Sequence, residues 1–264
     1  MSIRVGVLGA GGRMGSEVCA AVAADPDLEL VAAVDPNYRG LDLQTVTKVD
    51  SPLRISGEAI AFERTNSQVV VDFSNREASV PNLTWLARHG IHAVVGTTGF
   101  SDSELETFRR EFTSSNCVIA PNFAIGAVLM MHFAEMAAPF FDSAEVIELH
   151  HENKIDAPSG TAMLTVQRMA EASDNWTADP TESEVVKGAR GGVGPAGIHV
   201  HSLRVKGLVA HQEVILGTAG QTLTIRHDSL DRTSFMPGVV LAIKQIADYP
   251  GVTLGLDALL GLNS

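Results

Sequence analysis

The stretch "IRVGVLGAGGRMG", residues 3–15, decides the fold. Residues 3–9 form a near-continuous apolar run, as in a strand buried on both faces. Residues 13–24 follow with the spacing of a helix. Between them lie Gly9, Gly12 and Gly15, a GxxGxxG pattern. The commoner GxGxxG spacing would need glycine at 14, where this chain has Met14. Glycines in such a turn let the backbone approach a pyrophosphate, which then rests on the positive end of the helix. A second strand, "LELVAAVD" (28–35), ends in Asp35. A carboxylate at that point is placed to bond the ribose hydroxyls of a dinucleotide.

The same alternation continues outward. Strands are predicted at 68–74, 91–96 and 117–121, with helices at 76–89 and 102–115. Ser101 and Glu104 stand in capping-box spacing at the start of the second helix. Apolar strands alternating with helices predict a parallel sheet covered on both faces. Two strand ends point to the same edge as the glycine turn. One gives Gly96, Thr97 and Thr98; the other gives Ala120, Pro121, Asn122 and Phe123. In open parallel sheets ligands lie beyond the carboxyl ends of the strands, and small hydroxylated residues there can bond a carboxamide.

The pattern changes after about residue 124. A long apolar helix is predicted at 126–141, a strand at 144–151 and a helix at 160–172. Residues 174–198 are rich in Gly, Pro and polar residues and predict a long mobile loop. Three strand-like runs follow, "HVHSLRV", "VAHQEVIL" and "QTLTIRHD", punctuated by Gly207, Gly217 and Gly220. They predict an antiparallel meander. The tail "FMPGVVLAIKQIADYP" predicts a helix with Pro237 in its first turn.

The chemistry concentrates in "ELHHENKIDAPSGTA", residues 148–162. Successive side chains on a strand face opposite ways, so His150 and His151 share a pocket only if the strand ends there. Lys154 can fold back toward either. Ser159 is placed to cap the helix beginning at 160, with Gly160 and Thr161 as first-turn donors that hold a carboxylate or phosphate. A proton donor, a cation and an anion cradle then lie within one short segment. That set suits a small dianionic substrate whose reduction needs a proton on carbon. His132, His199, His201, His211 and His227 are read as structural.

The bulk composition narrows the classes. Net charge is −12, from 19 basic and 31 acidic residues, which excludes a general nucleic-acid or anionic-membrane binder. Cys19 and Cys117 fit neither a metal spacing nor a disulfide framework, and HExxH and CxxC are absent, so no metal is expected. Met1 leads directly into the first strand without a secretory pattern, and no apolar run reaches ~18 residues. A soluble cytoplasmic protein is the expectation.

The segments "GAGGRMG", "VGTTGF", "APNFAIG", "ELHHENKIDAPSGTA" and "RHDSLDRTSFMPG" together resemble the 4-hydroxy-tetrahydrodipicolinate reductase (dihydrodipicolinate reductase) family, most closely its actinobacterial branch. The resemblance covers nearly the whole chain. It implies an α/β architecture: an N-terminal Rossmann-type parallel sheet plus a C-terminal α+β substrate domain with a mixed open sheet. Residues 1–124 would bind the dinucleotide and take back a C-terminal helix, 234–264. Residues 125–233 would bind substrate and build a homotetramer, with hinges near 124 and 234 that close the domains. The implied reaction is NADH- or NADPH-dependent reduction of a small cyclic dicarboxylate, with loss of water, in the diaminopimelate route to lysine. By resemblance His150 is the acid/base residue and Lys154 a proton donor; His151, Ser159, Gly160 and Thr161 bind substrate. Cofactor contacts would come from Gly9, Ala10, Gly11, Gly12, Arg13 and Met14, from Asp35, and from Gly96–Thr98 and Ala120–Phe123. Asp35 favours NADH, while Arg39 and Arg13 could meet the 2′-phosphate of NADPH. Some family members carry a basic residue directly after that acid, where this chain has Pro36, so use of either cofactor is expected. Two other readings are an amino-acid dehydrogenase acting on aspartate and a non-catalytic dinucleotide sensor. Neither needs the Lys-x-Asp-x-Pro-Ser-Gly-Thr context.

Overall fold

The computed structural model describes residues 2–262. The chain divides into two compact units, Met1–Phe123 with Phe235–Ser264, and Ala124–Ser234.

The first unit begins with β1 (Ile3–Leu8), α1 (Arg13–Ala24) and β2 (Leu28–Val34). Residues 36–67, irregular by sequence, contain two single-turn helices, α2 (Leu43–Thr47) and α3 (Ile60–Arg64). Then come β3 (Val69–Asp72), α4 (Arg76–Arg88), β4 (His92–Val95), α5 (Asp102–Glu111) and β5 (Cys117–Ile119). The expected capping box is present: the Ser101 hydroxyl accepts from Glu104 N, and the Glu104 carboxylate accepts from Ser101 N. The helix stops at Glu111 rather than 115, where "TSSN" offers poor helix formers.

The second unit contains α6 (Ile125–Ala137), β6 (Ser143–His150), α7 (Gly160–Ala172), β7 (Gly192–Val193), β8 (His199–Arg204), β9 (Ala210–Thr218) and β10 (Gln221–Ser229). α6 ends four residues before the predicted limit of 141 and continues as a 3-10 turn through Ala138–Phe140, where Pro139 lacks an amide to extend the ladder. The chain then returns to the first unit with α8 (Met236–Gln245), whose Pro237 sits in the first turn as predicted, and β11 (Val252–Leu254).

β11 corrects the expectation of a helical tail over 234–264. The helical path stops at Asp248, Pro250-Gly251 breaks it, and three residues pair parallel to β5. The first sheet is six-stranded and parallel, in the order β11-β5-β4-β3-β1-β2. Its inner strands β3, β4 and β5 are buried nearly throughout, and Phe62, Leu83, Leu86, Phe108 and Phe112 fill one side of the sheet. Each such side chain contributes about 1.5–3 kcal/mol of apolar burial.

The second sheet is mixed, in the order β10-β9-β6-β8-β7. The meander expected from three consecutive strands is therefore wrong. Only β9 and β10 pair as a hairpin; β6 inserts between β8 and β9, parallel to the former and antiparallel to the latter. Stepping across one strand requires about 10 Å. The five residues 205–209 span that distance, with Gly207 at φ +90°. A connection of that length fits either a hairpin or a step, so local pattern could not separate them.

One face of this sheet meets the helices, with α7 packed on β6 and α6 on β10 and α7. Paired residues share a face, so the register gives its rows. Val200, Val146, Val214 and Ile225 form an apolar row. Next comes a polar row, Ser202, Glu148, Gln212 and His227, and then Arg204, His150, Ala210 and Ser229. The face thus passes from core to polar chemistry toward the carboxyl end of β6. Among the described residues no helix is long and apolar enough to cross a membrane.

Candidate active site

In the first unit the glycine turn leaves β1 and enters α1. Gly9 has φ +73°, a backbone region that side chains disfavour. Gly15 is held still more tightly, because an added Cβ would lie 2.0 Å from the Gly9 carbonyl oxygen. Gly12 caps α1 without any side-chain hydrogen bond, and no acid stands in the first turn. The positive end of the helix is thus left to an external anion. Asp35 follows β2 and is 6% exposed. Its Oδ2 accepts from Gly11 N at 3.1 Å and its Oδ1 from Asn37 N at 3.0 Å. Each carboxylate oxygen keeps a second lone pair for a hydroxyl. Arg13 and Arg39 are exposed, and the Arg39 guanidinium lies 3.4 Å from Glu58. These residues fit a dinucleotide: a backbone cradle that side chains would fill, an uncapped helix end and an acid beside it.

The other two strand ends lie on the same carboxyl edge of the sheet. Gly96 admits the Phe73 ring, since a Cβ there would come within 2.0 Å of it. Phe73 in turn packs against Phe123, with centroids 5.7 Å apart. Ala120 and Phe123 are buried, whereas Thr98 and Pro121 are exposed, so the buried pair supplies framework and the exposed pair a surface. A further acid organises this edge. Asp72, fully buried at the end of β3, accepts from Ser74 N at 2.8 Å, Ser74 Oγ at 2.6 Å, Ser79 Oγ, and Thr97 Oγ1 at 3.5 Å. Burial raises its carboxyl above the usual range, and the hydroxyl and amide donors offset only part of that. Asp72 therefore ties the turn at Thr97 to the preceding strand. Sequence reading passed over it within "VVVDFS".

In the second unit, β6 ends at His150, so His151 is freed from strict alternation, as the sequence reading required. His150 Nδ1 lies 2.5 Å from Glu148 Oε2. Glu148 is two residues earlier on the same face and fully buried. Arg204, opposite His150 on β8, clasps Glu148 with both terminal nitrogens, at 2.9 and 2.8 Å. Burial alone would push the Glu148 carboxyl up. Hydrogen bonds from His150, Arg204 and Ser202 outweigh it and hold that carboxyl at about 2.

Lys154 follows a turn closed by its own amide on His151 O, at 3.2 Å. Its ammonium meets both Asp156 oxygens, at 2.8 and 2.7 Å, and holds that carboxyl below its usual range. Arg204 reaches this segment as well, through Nε to Lys154 O at 3.3 Å and Nη2 to Asp156 O at 2.6 Å. Ser159 caps α7 as expected, its hydroxyl accepting from Ala162 N at 3.2 Å. Gly160 and Thr161 occupy the first turn, and Gly160 is exposed. No group of three His, Cys, Asp or Glu side chains among the described residues is arranged for a metal ion. Glu148 and Arg204 were missed in the sequence reading. An acid two residues before the histidine was the available signal for the first. Arg204 had none, because its partner lies 56 residues away.

Similarity to known proteins extends over nearly the whole chain. Residues 3–123 match the family model described as dihydrodipicolinate reductase, N-terminus, and residues 126–260 match that described as dihydrodipicolinate reductase, C-terminus. The chain belongs to the dihydrodipicolinate reductase family. A family relative from Nocardia farcinica, named 4-hydroxy-tetrahydrodipicolinate reductase, is 52% identical, the match covering 99% of this chain and 100% of the relative. One from Cutibacterium acnes with the same name is 49% identical, over 98% and 99% of the two chains. A solved dihydrodipicolinate reductase from Paenisporosarcina sp. TG-14, dipicolinate-bound, superposes with a TM-score of 0.86 at 36% identity, covering 98% of this chain and 99% of that one. Family, actinobacterial character and fold class thus agree with the sequence reading.

Proposed function

We propose that this chain reduces 4-hydroxy-tetrahydrodipicolinate to tetrahydrodipicolinate, with loss of water and oxidation of NADH or NADPH. The observation that carries this reading is the arrangement at the end of β6. A histidine backed by a buried carboxylate, a lysine and an N-capped helix start are built from one segment. Family membership and the dipicolinate-bound relative support the same substrate class.

When bound, the reduced nicotinamide supplies a hydride to C4 of the ring. The first turn of α7, with Ser159, Gly160, Thr161 and His151, holds the substrate carboxylates. The ring is left as an enamine that must take a proton on the neighbouring carbon, and His150 or Lys154 delivers it. Glu148 accepts from His150 Nδ1, so Nε2 is the nitrogen that faces the substrate. Lys154 must exchange Asp156 for the substrate before it can act.

Cofactor contacts are assigned to Gly9–Met14, Asp35, Gly96–Thr98 and Ala120–Phe123. The fit supporting this is the glycine cradle with its uncapped helix start. Asp35 suits the free ribose of NADH, and the exposed Arg39 gives a 2′-phosphate its counter-charge, so both cofactors serve. The unit Met1–Phe123 with Phe235–Ser264 is read as dinucleotide-binding, and Ala124–Ser234 as substrate-binding and tetramer-forming in a cytoplasmic enzyme. The test follows cofactor oxidation at the nicotinamide absorbance, with substrate made in situ by the synthase of the preceding step. Turnover is expected with NADH and with NADPH; no turnover with either overturns the reading.

A further inference from the structure

We propose that Glu148 and Arg204 are positioning residues of the reaction: Glu148 fixes the tautomer and orientation of His150, and Arg204 ties that carboxylate to the Lys154 segment. The proposal rests on His150 and Lys154 being the proton-handling residues. It assigns roles to two side chains that act through His150 and the Lys154 segment.

A fully buried carboxylate is expensive unless it is paired and hydrogen-bonded. The Arg204 fork already satisfies Glu148 through both of its oxygens. An ion pair serving the core alone would end there. Instead Oε2 also takes the His150 ring, so the carboxylate is shared between a guanidinium and an imidazole. A carboxylate on Nδ1 fixes which ring nitrogen carries the proton and stabilises the imidazolium that forms when Nε2 takes one.

Arg204 has further partners. Its donors not used on Glu148 alone are directed at backbone carbonyls, at Lys154 O, Asp156 O and Leu203 O. Two of those three belong to the segment that positions the Lys154 ammonium. Arg204 is also the direct cross-strand partner of His150. One guanidinium therefore sets the end of β6, the tautomer of its histidine and the start of the lysine loop. Lysine in its place would keep the charge but lose the fork.

Beyond the adjacent His151, the titratable and charged groups around His150 are few, which makes a pH test readable. Glu148 stands on its own strand and Arg204 on β8. Lys154 and Asp156 lie in the following loop. β9 presents neutral Ala210 and Gln212, and α7 presents Thr165, which is bonded by Gln212. On β10, His227 shares the face two strands away, and burial holds it below the ordinary histidine range.

The test is a double-substitution cycle with Glu148→Gln and His150→Gln, read as kcat. Glu148→Gln is expected to lower kcat about tenfold or more where His150 is present, and less than twofold where His150 is already Gln. In the chain that keeps His150, the alkaline limb of the kcat/KM profile, where the proton donor is lost, moves to lower pH, because the imidazolium has lost its anion. Arg204→Lys, a milder change that keeps the charge, is expected to cost kcat about tenfold with NADH affinity unchanged. An equal loss from Glu148→Gln in both backgrounds, or an unmoved pH profile, overturns the proposal. So does a wild-type kcat in Arg204→Lys. A wild-type kcat in His150→Gln alone would instead sink the underlying assignment, so the two failures are distinct.

Discussion

Replacing Gly15 by alanine probes the proposed cofactor turn at its tightest point. The new Cβ would lie 2.0 Å from the Gly9 carbonyl oxygen, 2.7 Å from the Gly9 carbonyl carbon and 2.9 Å from the Ala10 Cα. All three are backbone atoms, so no side chain can swing away. Restoring a contact of about 3 Å or more requires the Gly9–Ala10 backbone to move by roughly 1 Å. An amide–phosphate hydrogen bond near 2.9 Å does not survive such a shift. Loss of one charge-assisted bond costs about 1.5–3 kcal/mol, or roughly 10–150-fold in Kd. Stability responds less, because alanine gains about 1 kcal/mol over glycine inside a helix, against about 1–3 kcal/mol for overpacking. The expected Gly15→Ala variant therefore folds, melts within a few degrees of wild type, and binds NADH at least tenfold more weakly by fluorescence titration. A Kd within twofold of wild type would refute the cradle as the pyrophosphate site.

Other consequences follow from single contacts. The Glu148 carboxyl is depressed in the folded chain, so its contribution is full above its unfolded value near 4.5 and is lost as pH falls toward about 2. That contribution is about 3 kcal/mol, and urea melts of wild type should weaken over this window more than those of Glu148→Gln; parallel curves would contradict the assignment. Ser159→Ala removes the α7 cap from a buried amide and should cost about 1 kcal/mol, seen as a Tm lower by roughly 3 °C. Thr161→Val should raise KM for substrate with kcat little changed, since it removes a binding contact rather than a proton; a fall in kcat at constant KM would oppose that role. Asp35→Ala should weaken NADH more than NADPH, and an equal effect on both would argue against a ribose contact.

Much of the fold was legible because its signals are local. The glycine turn, the apolar strands and the Ser101 and Ser159 caps depend on neighbours within a few residues. α1 and α7 accordingly start and end where their patterns predict. What was not legible depends on pairing across distance. The three strand runs of the second unit read as consecutive neighbours, yet β6, from before the long loop, separates two of them. β11 has only three residues and gains its identity from β5, more than a hundred positions earlier. The site divides in the same way. His150, Lys154 and Ser159 lie in one segment and could be read from it. Arg204, which ties the first two together, is a strand residue whose role exists only through the parallel pairing of β6 with β8. Asp72 was hidden for another reason. An acid at the end of a buried strand looks like a terminator until its hydroxyl partners are seen.

The central claim is that the end of β6 transfers a proton to the reduced ring, and the kcat of His150→Gln tests it most directly. Glutamine keeps a polar side chain of similar reach but cannot titrate. Steady-state oxidation of NADH, with substrate generated in situ, should show kcat lower by about 100-fold or more and KM within about threefold of wild type. A kcat near wild type would contradict the account.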